Sequence, residues 1–210
     1  MATVLILGAS KGIGFETVKR ALAAGHTVRA LARSANDMLL DHPRLQKIAA
    51  SALDKDAVTQ ALAGADAVIQ SLGHGPTLLP VTLFSDATRI LVDAMTAHGV
   101  RRLIAVTGLG AGDSRGKGGF FYDVLLFPLV LKRIYDDKDV EEMIIRYSTL
   151  EWTIVRPGIL TGGPARGRIQ VLTEPKDWRL GRISRADVAE FLVGQLSDRS
   201  LIGKTPLLID

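Results

Sequence analysis

The chain has 210 residues, 47% of them hydrophobic and 23% charged, with a formal net charge of +4 and a pI near 9.5. That length and composition can bury one sizeable core and suit a single domain. With no cysteine, disulfides, thiol catalysis and Cys-ligated metal are excluded, and the Lys and Arg residues are scattered without a basic block, so neither nucleic acid nor a metal site is expected.

The first predicted element is the apolar run Val4 to Leu7, which feeds the turn Gly8-Ala9-Ser10-Lys11-Gly12-Ile13-Gly14 and a helical pattern from Phe15 to Ala24. No charged leader precedes the run and it ends in glycine, so it reads as a strand and not a signal peptide, and the cytoplasm is the expected compartment. A strand–glycine turn–helix is where a dinucleotide sits. Gly8 lets the chain turn tightly out of the strand, Gly12 lets backbone N–H groups approach a pyrophosphate, and Gly14 lets helix and strand pack closely. The new helix points its positive end at the phosphates. Glycines alone would fit any tight turn, but a second strand, His26 to Ala32, follows at βαβ distance.

That second strand ends in Arg33-Ser34, with no acid until Asp37. In Rossmann sites an acid there binds the ribose 2′-hydroxyl, whereas an arginine accommodates a 2′-phosphate. A guanidinium grips a phosphate with two parallel hydrogen bonds, and Lys11 can add a second positive charge. NADP(H) is therefore expected over NAD(H), against the plainer reading of Arg33 and Lys11 as solvated surface residues.

Further strands are predicted at Leu45 to Ala50, Ala67 to Ser71, Leu103 to Thr107, Thr153 to Val155 and Pro206 to Ile209, and helices at Thr17 to Ala24, Asp56 to Leu62, Leu83 to His98, Asp136 to Arg146 and Arg185 to Leu196. Continuous apolar strands alternating with helices predict an α/β fold with a doubly wound parallel sheet, a Rossmann fold in one domain, with residues 157–210 as a small substrate-side portion. Asp54 looks like a helix cap before Ala57, Ser184 with Asp187 like a capping box, and Gly25 and Gly99 like helix stops. Ligands bind beyond the carboxyl ends of parallel strands, which places Ser71, Leu72, Gly73, Thr107 and Pro157, Gly158, Ile159 around the nicotinamide and its ribose. His74 is a weaker candidate proton donor in the same loop.

One stretch departs from the alternation. Glycine-rich residues 108–119 run into the apolar segment Phe120 to Leu131. A membrane span needs roughly 20 apolar residues, and this run is shorter and holds Asp123 and Pro128, so no membrane is implied. It reads as a core helix after a mobile loop, as a lid, or as a subunit interface that would make a homodimer.

With its glycine motif in place, the chain resembles the short-chain dehydrogenase/reductase superfamily. Gly64-Ala65-Asp66-Ala67-Val68-Ile69-Gln70-Ser71-Leu72-Gly73 looks like that superfamily's fourth strand and loop, Arg156-Pro157-Gly158 like the Arg-Pro-Gly element of its extended and atypical branches, and Ile183-Ser184-Arg185-Ala186-Asp187-Val188-Ala189 like their late helix start. The likeness covers nearly the whole chain and points to the atypical branch of flavin reductases, similar to biliverdin-IXβ reductase, and of NADP sensors. It implies that Ser51, Ala52 and Leu53 stand where the family often has an adenine-binding aspartate. It also puts Lys138 on the ribose-binding lysine and Thr107 on the substrate-orienting hydroxyl.

The family's tyrosine, four residues before the lysine, falls on Ile134. Tyr122, Tyr135 and Tyr147 are followed four residues later by Leu126, Asp139 and Glu151, so the pair is missing. Tyr135 is one residue away but turned by about 100° on a helix, and could act only if the helix starts late or is distorted. A carbonyl accepting hydride needs a positioned acid. A flavin or quinone can take its proton from water and needs mainly cofactor geometry and a flat apolar slot. The expectation is an NADPH-dependent reductase of a small planar acceptor. The alternatives are a non-catalytic NADP(H) redox sensor and, last, a nucleotide-sugar epimerase or dehydratase, which would need the tyrosine and a longer substrate domain.

Overall fold

The structure, a computed structural model, describes residues 1–75, 77, 79–120, 123, 127 and 131–210. Its strands are β1 (Thr3–Leu7), β2 (Thr27–Ala32), β3 (Leu45–Ala49), β4 (Ala67–Gln70), β5 (Arg102–Val106), β6 (Glu151–Pro157), β7 (Ile159–Thr161), β8 (Gln170–Leu172), β9 (Arg182–Ser184) and β10 (Leu207–Ile209). The helices are α1 (Gly12–Ala23), α2 (Lys55–Leu62), α3 (Leu83–His98), α4 (Lys132–Tyr147) and α5 (Arg185–Gly194).

One eight-stranded sheet runs in the order β3-β2-β1-β4-β5-β6-β10-β8, parallel except where β8 pairs antiparallel with β10, and β7 with β9 forms a separate parallel pair. The order reverses between β1 and β4, the switch point at which a doubly wound sheet opens a crevice.

Strand β1 shows why its sequence is apolar from Val4 to Leu7. Val4 and Ile6 pack on one face with Val18 and Leu22 of α1 and Val188 and Leu192 of α5. Leu5 and Leu7 pack on the other face with Val58 and Leu62 of α2, Leu91 and Met95 of α3 and Ile145 of α4. All four β1 side chains are fully buried, each worth about 1.5–3 kcal/mol of removed apolar surface.

Helix punctuation follows the expected residues. The Asp54 carboxylate accepts from the Ala57 N–H at 3.0 Å, Ser184 Oγ accepts from the Asp187 N–H at 2.9 Å, and Gly99 closes α3 in the left-handed region at φ +69°. Several elements differ from expectation. Strand β6 extends at both ends because Arg156 and Pro157 are buried within it, α4 begins four residues early at Lys132, and β7, β8 and β9 are additional.

The glycine-rich loop is anchored and not free. The Gly112 N–H donates to Asp139 Oδ1 at 2.6 Å, Gly110 N–H to Ser114 Oγ at 2.9 Å, and Arg115 pairs with Asp136 and Asp139. Of the expected Phe120 to Leu131 helix, residues 121, 122, 124–126 and 128–130 lie outside the described residues. Phe120 is exposed and Phe127 buried.

Candidate nucleotide-binding site

A cavity of about 930 Å³ lies across the carboxyl ends of β1, β2, β4, β5 and β6. Its size is at the upper end for small-molecule sites. At its centre the three glycines of the first turn do three different things. A side chain at Gly8 (φ +78°) would collide with the Ser71 carbonyl of the neighbouring strand end, and one at Gly14 with the Gly8 carbonyl. These two glycines bring β1, β4 and α1 together. At Gly12 (φ +59°) an added methyl would meet only Arg185 Nε, at 3.9 Å, so this face of the turn is open.

Lys11 caps α1 with extended backbone and no side-chain hydrogen bond, leaving the positive end of the helix toward the cavity. The Gly8 and Ala9 N–H groups donate to the Leu31 carbonyl at 3.0 and 3.4 Å, and Ser34 Oγ bonds Ser10 Oγ at 2.9 Å, which ties the turn to the end of β2. Arg33 is exposed on the same wall.

Of the residues singled out from sequence, Gly8, Ser10, Lys11, Gly12, Ile13, Arg33, Ser34, Ala52, Leu53, Ser71, Leu72, Gly73, Thr107, Tyr135, Lys138 and Pro157 line this cavity. Ala9 and Gly14 do not; they are buried behind the turn. Gly158 and Ile159 also lie off the cavity. The Gly158 N–H bonds the Leu208 carbonyl and the Ile159 N–H bonds the Gly181 carbonyl, both at 2.9 Å, and Ile159 begins the β7–β9 pair. The chain leaves the cleft directly after Pro157.

Ile134, which the resemblance puts at the family's tyrosine position, also lines the wall, and sequence reasoning missed Arg185, Phe84 and Leu160 there. Only Arg185 left a signal, as the first helical residue after the Ser184 capping box, a helix start that the sheet brings beside Gly12.

At the β5 end, Lys138 is buried on α4, with Nζ 3.3 Å from the Val106 carbonyl oxygen, 4.1 Å from the Phe84 ring centre and 3.6 Å from Glu141 Oε2. Thr107, expected to orient substrate, donates its hydroxyl to Glu142 Oε1 at 2.8 Å, so its proton is committed to the protein. Helix α4 is regular from Lys132, which removes the late start that Tyr135 would have needed. Tyr135 packs edge-on to Phe127 at 5.2 Å, with its hydroxyl against Gly108, while Ile134 is buried on the cavity wall.

Beneath the β6 end, fully buried Arg156 bonds Glu142 and Asp113, with its guanidinium 5.0 Å from the Trp178 ring centre. Burial pushes the Asp113 carboxyl up, but Arg156 outweighs it and holds the group below the usual carboxylate range. A side chain at Gly112 (φ +55°) would strike both Arg156 and Glu142, so the loop glycine, the helix acid and the strand arginine form one packed clamp. Arg156 is thus a structural residue that holds the glycine loop against α4. Among the described residues no group of His, Asp and Glu could hold a metal ion, and no helix is long and apolar enough to cross a membrane.

This geometry agrees with what the chain is similar to. The sequence profile of a family described as NAD(P)H-binding matches residues 8–199. The chain belongs to this NAD(P)H-binding family. Within reach of the family is the uncharacterized sugar epimerase YhfK of Bacillus subtilis, 30% identical over 148 residues, which are 69% of this chain and 63% of YhfK. An uncharacterized chloroplastic protein of Arabidopsis thaliana, At2g34460, is 31% identical over 205 residues, 92% of this chain and 71% of its own. Among solved structures, ChuY, an anaerobillin reductase from Escherichia coli O157:H7, superposes with a TM-score of 0.82 at 27% identity, over 99% of this chain and 96% of ChuY. The family match carries the NAD(P)H-binding assignment, and the cleft beside the Gly8-to-Gly14 turn could hold such a nucleotide.

Proposed function

We propose that the protein is an NADPH-dependent reductase that passes hydride to a flavin, quinone or similar planar acceptor. The observation that carries this reading is the combination on one cavity wall of Lys138 with Ile134 in the place of the family's acid/base tyrosine. The chain keeps a cation for the ribose and has an apolar side chain where alcohol and ketone chemistry needs an acid. Phe84, Leu131, Ile134, Pro157 and Leu160 supply an apolar wall for a flat acceptor.

Bound NADPH supplies the hydride. The open turn at Gly12 and the α1 N-terminus hold the pyrophosphate, Arg33 and Lys11 the 2′-phosphate, and Lys138 the nicotinamide ribose. The reductase named in the ChuY structure supports the same class of chemistry. The sugar-epimerase name borne by YhfK points elsewhere, but that chemistry would have to proceed without the tyrosine.

Steady-state oxidation of NADPH with FMN, riboflavin and simple quinones tests the proposal. Turnover at ordinary enzyme rates is the expected result. Tight NADPH binding with no turnover on any acceptor would make the protein a nucleotide sensor, and no binding of either pyridine nucleotide in a calorimeter would remove the redox reading altogether.

A further inference from the structure

Glu141 lies one turn along α4 from Lys138 and is 1% exposed. Its Oε1 accepts from Gln70 Nε2 at 2.6 Å, and the same amide nitrogen lies 2.7 Å from Thr88 Oγ1 on α3. Its Oε2 has no hydrogen-bond partner and sits 3.6 Å from Lys138 Nζ. An ionised carboxylate with one oxygen outside any hydrogen bond is costly in dry protein, and protonation of Oε2 removes that buried charge. Burial accordingly drives the Glu141 pKa up to about 7, with Lys138 and Gln70 pulling back only in part.

The other charges facing Glu141 are already engaged. Asp137 accepts from the Phe84 and Ser85 N–H groups at the start of α3, and Glu142 is paired with Arg156. From β4 the uncharged Gln70 bonds it, and Thr88 of α3 accepts from that same Gln70 amide.

We propose that Glu141 stores the proton for the reduction, holding it while the neutral, reduced nicotinamide occupies the cleft and releasing it through Lys138 once the ring is cationic. This rests on the reductase reading above and refines it, putting an internal proton source where water was expected. The acceptor gains a hydride, with its electron pair, from NADPH and a proton from Lys138 Nζ; the proton on Glu141 Oε2 restores Lys138. The carboxylate left behind offsets the positive charge of NADP+, and Glu141 regains a proton from water after that nucleotide departs.

Calorimetric titration of NADP+ and of NADPH into the protein at pH 7, in buffers of different ionisation enthalpy, counts the protons exchanged. Proton exchange by the 2′-phosphate is common to both nucleotides and cancels. NADP+ binding is expected to release up to about half a proton more than NADPH binding, the fraction that a group near pKa 7 carries at that pH. Glu141→Gln, which keeps the Gln70 contact, should abolish the difference.

Equal proton counts for the two nucleotides on the unaltered protein overturn the inference without need of the variant, and a difference that survives in Glu141→Gln overturns its assignment to Glu141. If neither nucleotide binds, the reductase reading itself has failed and this inference falls with it, an outcome distinct from binding with equal counts.

Discussion

In the proposed reductase Arg33, just after β2, and Lys138, on α4 against the end of β5, take opposite ends of the nucleotide, and β1 and β4 lie between those two strands. An aspartate in place of Arg33 would set like charge against the 2′-phosphate. Charge-assisted hydrogen bonds contribute about 1.5–3 kcal/mol, so Arg33→Asp should weaken NADPH roughly tenfold to a hundredfold. NADH should be nearly unchanged. Fluorescence titrations of both nucleotides check this, and equal losses for both would deny Arg33 its part in telling them apart. At this scale the sequence was most readable where a residue's local setting follows from type and spacing, as with the glycine turn, while the resemblance that pointed to Lys138 brought it to the cavity wall. Thr107 shows the limit: its hydroxyl went to Glu142, 35 positions away, a partner that only the packing of α4 under β5 supplies. Arg156 was legible as a motif and illegible as a clamp, since Asp113, Glu142 and Trp178 reach it from three separate segments.

The elements that hold the site are β1, its turn and α1, and their spacing is set by Gly14. A methyl there would press on the Gly8 carbonyl, backbone that cannot swing aside, so α1 would have to shift off the strand. Gly14→Ala should cost about 1–3 kcal/mol, as overpacking does. It should also lower affinity for NADPH and NADH alike, because the displaced helix end is the one proposed to hold the pyrophosphate common to both. Urea midpoints and paired titrations measure the two effects, and full affinity with unchanged stability would refute this account of the turn. The long apolar strands were predictable because a parallel strand covered on both faces cannot tolerate polar residues. Strands β7, β8 and β9 were not, since three residues are too few to show a period. Their existence also explains why Gly158 and Ile159 left the cleft: backbone pairing with Gly181, Arg182 and Leu208 outcompetes any placement beside a ligand.

For the whole molecule, acids with displaced pKa values give stability a signed dependence on pH. Glu141 titrates near 7 in the folded chain against 4.5 as the ordinary value. Between those values the folded chain keeps a proton that the unfolded chain has lost, so stability falls as pH rises through the window, by at most ~3 kcal/mol. Asp113 and Asp187 are held below their ordinary values, so their contribution is present above the unfolded pKa and is lost as pH falls through the folded one. Glu141→Gln should therefore lose less stability than the unaltered protein between pH 5 and pH 8, as read from urea midpoints at both. Parallel curves would mean that burial does not hold a proton on Glu141.

The margins of the main sheet carry a last consequence. Its outermost strands, β3 and β8, are five and three residues long, and β3 carries Lys47, whose ammonium is tethered to the Met38 carbonyl and Asp41. Brief, cation-bearing rims give a foreign strand few amides to grip and discourage runaway fibre growth.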